Sequence, residues 1–203
     1  MFVGEILIMS TFDSPCIIKF LGVAWTRPID LVCVMEYMDG GDIRGLLAKR
    51  TVEDFPWHEK LAHIRCIVEA LVYLHSFNII HRDLKSHNIL LDSTKGTKVT
   101  DFGVSKEGME ATMTMGVGIF RWIPPEVIPS QNYSTASDIY SFGVILTEFA
   151  THMIPYENVL NPKSGRPYVD MVIIQLVAAG KLKPSFEGAC SDWLDELAKQ
   201  CLA

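Results

Sequence analysis

The sequence predicts an α+β fold: two strands near the start, then a mostly helical body. Three observations lead there. Two apolar runs, Ile17–Trp25 and Ile29–Tyr37, flank the turn Thr26-Arg27-Pro28 and read as a hairpin. Between Pro56 and Ser76 the apolar residues switch to spacings of three and four, the period of a long helix. After Pro124 helical stretches dominate and nothing repeats, so strands and helices segregate along the chain.

The elements follow in order. Phe2, Ile6 and Met9 share one face of a short opening helix, broken by Asp13-Ser14-Pro15. The hairpin comes next, then the glycine-rich link Met38–Asp42 and a short helix. In the long helix Leu61, Ile64, Val68, Leu71 and His75 form the expected buried face, with Pro56 in its first turn. Asn88–Leu91 and Thr97–Thr100 are short strands around a turn at Ser93–Gly96. Asp101–Val127 lacks a period and reads as an ordered loop. Helices are expected over 135–150, over 168–179 with Gly180 closing it, and from Ser191–Asp192 onward to Ala203.

Composition bounds the function. The 203 residues suffice for one domain with its own core, at 49% hydrophobic and 21% charged. Eighteen basic and 24 acidic residues give a net charge of −6, and no basic cluster stands out, which argues against nucleic acid as a partner. No apolar run approaches the roughly 18 residues of a membrane span. The opening stretch lacks a basic region and carries Glu5, so a signal peptide is not expected. Cys16, Cys33, Cys66, Cys190 and Cys201 form no CxxC pair and read as small apolar residues in a reducing, cytoplasmic compartment. His58 and His63 evoke a zinc helix, but five positions turn a helix by about 500° against 400° for four, so they miss a common face.

One stretch carries chemistry: Asn78–Asp92, NIIHRDLKSHNILLD. It sits on a loop after the long helix. Asp83 and Asn88 lie five apart, and a second acid, Asp101, comes 18 residues after the first, followed by Phe102-Gly103. Two carboxylates and an amide oxygen make a hard-cation set of the kind that suits magnesium brought in with phosphates. Lys85 would sit beside those phosphates. An acid beside a lysine and a cation accepts a hydroxyl proton without a strongly shifted pKa.

His81-Arg82-Asp83 with Asn88, then Asp101-Phe102-Gly103, then Ile123-Pro124-Pro125-Glu126, in that order, resemble the eukaryotic protein kinases over essentially the whole chain. Met35–Asp42 is similar to the hinge of that family, and Ala136–Leu146 to its buried central helix, where Asp138 would brace the catalytic loop. The resemblance implies a protein-kinase-like α+β fold: residues 1–38 as small-lobe remnant and hinge, 39–203 as large lobe. It implies that ATP and Mg2+ are used and that proteins are the substrates.

Roles carry over by position. Asp83 would accept the substrate hydroxyl proton, and Lys85 would neutralise charge on the γ-phosphate. Asn88 and Asp101 would hold Mg2+. Adenine would meet the backbone of Glu36 and Met38, with Asp42 near the ribose and Leu90 also among the nucleotide-binding residues. Met35 would limit the pocket behind adenine. Glu5 matches the glutamate of the family's helix C. His81 and Phe102 would pack in a column with Met9 and Phe20. Arg82 would pair with a phosphate placed by an activating kinase on Thr112 or Thr114.

Lys85 is the serine/threonine-type choice, whereas Phe120–Val127, FRWIPPEV, is similar to the tyrosine and tyrosine-kinase-like (TKL) groups. The mixture resembles the TKL group. Two positions depart from the family pattern: Ile119 replaces the usual threonine after Gly118, and Pro124 replaces the usual alanine. No GxGxxG run occurs in these residues, and Glu5 has no strand-three lysine before it, so the kinase domain reads as truncated at both ends. Three readings follow: a serine/threonine kinase, a tyrosine or dual-specificity kinase, and a non-catalytic kinase-like binding module. The intact Asp83, Asn88 and Asp101 argue against the last.

Overall fold

The computed structural model describes residues 2–102, 119–186 and 191–203. Its elements are α1 (Phe2–Met9), β1 (Phe20–Ala24), β2 (Val32–Met35), α2 (Ile43–Lys49), α3 (Trp57–Ser76), β3 (Ile89–Asp92), β4 (Gly96–Val99), α4 (Val127–Ser130), α5 (Thr135–Thr151), α6 (Asp170–Ala178) and α7 (Asp192–Cys201). The α+β expectation holds, with strands and helices close to where the periodicity puts them. Strands β1 and β2 are shorter than the apolar runs that announced them, while β3 and β4 keep the expected length, each shifted by one residue. Helix α7 is bounded at Cys201, with Leu202 as its C-cap, rather than at Ala203.

Strands β1 and β2 pair antiparallel, Ala24 opposite Val32 and Phe20 opposite Met35. Strands β3 and β4 form a second antiparallel pair, Ile89 opposite Val99. The two ribbons connect through one segment: Ile18 N–H donates to Val99 O at 3.0 Å, and Val99 N–H donates to Cys16 O at 2.8 Å. Cys16, Ile17 and Ile18 are therefore buried in the same core as α3 and α5.

The link Asp39–Gly41 lies on β3. Gly40 N–H donates to Leu91 O, and Leu91 N–H to Gly41 O, both at 2.8 Å. A Cβ at Gly40 would lie 2.9 Å from the Leu91 carbonyl oxygen, so only glycine allows this approach. Asp42 then caps α2, its Oδ1 accepting from Gly45 N–H at 2.7 Å.

Helix α3 is rotated from its expected face. Leu61 and Val68 are exposed, while Lys60, Ile64, Ile67, Ala70, Leu71 and Leu74 are buried. Lysine reads as polar in a pattern, but the Lys60 stem is apolar and its ammonium rests 4.9 Å from the Trp57 ring and 5.4 Å from that of Phe55. Pro56 stands at the cap position rather than inside the first turn.

Helix α5 is buried almost all round, from Ser137 to Ala150, which makes it the axis of the helical body. Ser134 and Ser137 cap it reciprocally. Gly143 lets α7 pack close: an added Cβ would stand 2.9 Å from Cys201 Cβ and 3.0 Å from Leu202 Cγ. Gly143→Val should therefore destabilise the fold by ~1–3 kcal/mol through overpacking, read from urea unfolding midpoints. An unchanged midpoint would refute that packing.

Candidate active site

The loop after α3 is built around Asp138, in the first turn of α5 and fully buried. Its Oδ2 accepts from His81 N–H at 2.8 Å, and its Oδ1 from Arg82 N–H at 3.0 Å. His75 Nε2, at the end of α3, lies 2.8 Å from Oδ2. One carboxylate thus pins two consecutive peptide groups. That pinning accommodates Arg82 in the left-handed region, at φ +67°, a conformation that costs a non-glycine residue free energy. Asp138 is where the family resemblance expects a brace.

His81 is fully buried, with Nε2 3.0 Å from Thr100 O and its ring 5.2 Å from that of Phe102. The packing role expected for it is consistent with that position. Of the expected column, His81 and Phe102 are ring neighbours and Met9 packs against the core. Phe12 joins them, its ring edge-on to that of Phe102 at 5.2 Å. Phe12 sits just past the end of α1, where no periodicity marks it.

Burial holds the His81 pKa below its ordinary value, against the nearby Asp138 and Asp83 charges that would raise it. The folded protein therefore keeps His81 neutral while the unfolded chain takes up a proton below about pH 6.5. Unfolded binds more protons than folded in that window, so stability is lost as pH falls through it. His63, His87 and His152 are also lowered by burial and add to the slope. The contribution of His81 is isolated by His81→Phe, whose thermal midpoint should fall less between pH 7.5 and 5.5 than the parent's. Parallel pH curves would contradict it.

Asp83, Lys85 and Asn88 come together. Lys85 Nζ lies 2.8 Å from Asp83 Oδ2, both side chains being mostly shielded from solvent. Asn88 Nδ2 donates to Asp83 O at 2.8 Å and to Asp83 Oδ2 at 3.1 Å. With its amide nitrogen so used, the Asn88 Oδ1 is the atom left for a cation. Thr100 N–H donates to Asn88 O at 3.0 Å, so β4 carries the chain from Asn88 back to Asp101. Asp101 itself is exposed and in the left-handed region, φ +57°, directly before buried Phe102. Among the described residues no group of three His, Cys, Asp or Glu is placed to hold a metal. The donor set of one amide and one carboxylate oxygen fits Mg2+ that takes its remaining ligands from phosphate and water.

On the hinge, Met38 is buried and Met35 packs against the core. The Glu36 carboxylate is engaged elsewhere: Oε1 accepts from Lys19 N–H at 2.7 Å and from Lys98 Nζ at 2.6 Å. Partial burial would raise its pKa, but the Lys98 and Lys19 hydrogen bonds outweigh this and hold it below the usual range. Leu90 pairs with Lys98 and bridges Asp42. Asp42 departs from a simple ribose contact, since one of its oxygens caps α2. The Glu5 side chain, Gly103, Thr112 and Thr114 lie outside the described residues, as does the Ile119 side chain.

Sequence reasoning missed His75 as a second support of Asp138, and it missed Glu148 altogether. Glu148 is fully buried in α5 and receives hydrogen bonds from Arg44, Ser86 and Trp122. A lone acid in a helix stretch dominated by Val144, Ile145, Leu146, Phe149 and Ala150 was the available signal.

A small crevice of about 10 Å3 joins the loop to the stretch before α4, lined among others by Arg82, Asp83, Trp122, Ile123, Pro124 and Tyr133. No helix among the described residues is long and apolar enough to cross a membrane.

Known proteins share this plan. The model of the protein kinase domain matches residues 1–203. Serine/threonine-protein kinase STY46 of Arabidopsis thaliana is 39% identical over 158 residues, which is 77% of this chain and 27% of that protein. Serine/threonine/tyrosine-protein kinase HT1, also of Arabidopsis thaliana, is 30% identical over 201 residues, 98% of this chain and 49% of the relative. Probable serine/threonine-protein kinase drkA of Dictyostelium discoideum is 39% identical over 155 residues, 75% and 24%. The chain thus spans from about a quarter to a half of the length of these relatives. The similarity to STY46 and HT1 agrees with the TKL resemblance read from the motifs. With its loop braced on Asp138, its Asp83–Lys85–Asn88 cluster and a family match from end to end, the chain belongs to the protein kinase domain family.

Proposed function

We propose that this chain is the phosphoryl-transfer domain of a serine/threonine protein kinase that uses ATP and Mg2+. The observation that carries the reading is the convergence of Lys85 and Asn88 on one carboxylate oxygen of Asp83, 2.8 and 3.1 Å away. Asp83 orients a substrate hydroxyl and accepts its proton as the oxygen attacks phosphorus. Asn88 keeps the carboxylate in one rotamer. Lys85 leaves its ion pair to meet the γ-phosphate, so the positive charge lies where negative charge develops. Asn88 and Asp101 hold Mg2+, which when bound neutralises phosphate charge and aligns the triphosphate. The hinge backbone at Glu36 and Met38 reads adenine, Leu90 lies beneath it, and Asp42 meets the ribose with the oxygen that does not cap α2. Within this reading residues 1–38 are the small-lobe part and hinge, and 39–203 the large lobe.

Lys85 supports serine/threonine over tyrosine, since a cation beside Asp83 suits a short aliphatic hydroxyl held close to the phosphate. Ile119 and the FRWIPPEV stretch support tyrosine as a second reading, in keeping with the name of HT1, a serine/threonine/tyrosine-protein kinase. Activation follows when a kinase phosphorylates Thr112 or Thr114 and the phosphate pairs with Arg82. The test is transfer from ATP to a mixed serine, threonine and tyrosine peptide library by the purified full-length protein. Label on serine and threonine is expected, and label confined to tyrosine would overturn the specificity. A second assay, Thr112→Ala with Thr114→Ala, should lower activity about tenfold or more, and parental activity would contradict the activation step.

A further inference from the structure

Glu148 has no part in the roles above, yet three donors from three stretches of chain converge on it. Ser86 Oγ donates to Oε1 at 2.8 Å, and Arg44 Nη1 donates to the same oxygen at 3.1 Å. Trp122 Nε1 donates to Oε2 at 2.7 Å. Ser86 stands between Lys85 and Asn88 and is itself fully buried. Trp122 belongs to the turn that forms the other wall of the crevice beside Asp83, and it is buried as well. Arg44 continues from Glu148 to His152 O at 2.6 Å, so it ties α2 to the end of α5.

A carboxylate in this place is expensive. Burial pushes its pKa up to about 7, against the pull of Ser86, Trp122 and Arg44. Replacing such a buried ionic cluster by apolar groups of the same volume is often neutral or stabilising, so packing alone does not call for a glutamate. What a leucine could not do is direct two oxygens to two partners. One oxygen takes the catalytic loop, and the other takes the Trp122 turn. Further contacts fix the same relation: His87 meets the Trp122 ring edge-on at 5.8 Å, and Ser141 Oγ donates to Trp122 O at 2.8 Å.

We propose that Glu148 is a positioning residue for phosphoryl transfer, setting the register between the loop that carries Asp83 and Lys85 and the Trp122 turn across the crevice from it. This rests on the kinase reading. Glu148 touches neither nucleotide nor hydroxyl, so its loss should act on the chemical step and on the protein substrate, and should leave ATP binding alone. The carboxylate also acts as one unit, so breaking either link should undo most of the same register.

The experiment uses the purified full-length protein with the peptide it phosphorylates best, comparing Glu148→Gln, Ser86→Ala, Trp122→Phe and the Ser86→Ala/Trp122→Phe pair. Glu148→Gln should lower kcat by about tenfold or more, with KM for ATP within about twofold of the parent. Ser86→Ala removes one hydrogen bond and little else, whereas Trp122→Phe removes one hydrogen bond together with part of the buried ring that meets His87. Each should lower kcat by about threefold or more, and the pair should cost less than the product of the two single losses. If Glu148→Gln fails to fold, these three variants carry the test. Variants with parental kcat overturn the inference, and so do losses that multiply independently or that track a matching rise in KM for ATP. An inactive parent overturns the kinase reading and this inference with it, whereas an active parent with indifferent variants overturns this inference alone.

Discussion

Asp83→Asn should abolish nearly all phosphoryl transfer while leaving the fold intact. The Asp83 carboxylate is the one acceptor in the loop to which both Lys85 Nζ and Asn88 Nδ2 point, at 2.8 and 3.1 Å. An amide keeps the shape but cannot take a proton, and it removes the charge that holds Lys85 in place. General-base catalysis contributes about 10²–10⁴-fold, so kcat should fall by that order. The backbone contact from Asn88 Nδ2 to Asp83 O, 2.8 Å, survives the substitution, and so does the brace on Asp138. The thermal midpoint should therefore move little. A variant retaining a tenth or more of the parental kcat (a barrier raised by about 1.4 kcal/mol or less) would remove Asp83 from the centre of the mechanism.

Asp138→Ala should be the most damaging single change to the fold. The carboxylate is fully buried and accepts two backbone N–H groups, with His75 as a third partner. Its removal leaves the His81 and Arg82 N–H groups without acceptors in a dry site, each costing about 1–3 kcal/mol, and it removes what pays for Arg82 at φ +67°. A total of about 3–5 kcal/mol is expected from urea unfolding, as for other broken buried charge networks. Asp138→Asn keeps one acceptor oxygen and should lose about half as much. Because His81 and Arg82 directly precede Asp83, kcat should fall even in the milder variant. If Asp138→Asn lost stability while keeping full kcat, the brace would be structural and would not set the geometry of Asp83.

What was legible in the sequence follows from how locally each feature is encoded. The period of α3, the glycine link before α2 and the turn between β3 and β4 depend on neighbours, and they lie where the pattern puts them. The face of α3 does not, because Lys60 is buried by aromatic rings from Trp57 and Phe55, and a pattern of apolar letters counts a lysine as polar. The motif around Asp83 was legible as a cluster, since Asp83, Lys85 and Asn88 fall within six residues of one loop. Asp138 was legible only through the resemblance, because its partners lie 56 and 57 residues away. Phe12 beside Phe102 was not legible at all: it sits past the end of α1, where neither a helical nor a strand period applies. Glu148 has partners 62 and 104 residues away in Ser86 and Arg44, so only the fold brings its three donors together.

The most direct test is to incubate the purified full-length protein and its Asp83→Asn variant with a generic protein substrate and ATP labelled at the γ-phosphate, then to identify the labelled amino acids. The predicted result is label on serine and threonine with the parent, and none above background with the variant at equal nucleotide occupancy. Equal labelling by the two proteins, or no labelling by either while ATP is bound, would contradict the assignment of this loop as the site of phosphoryl transfer.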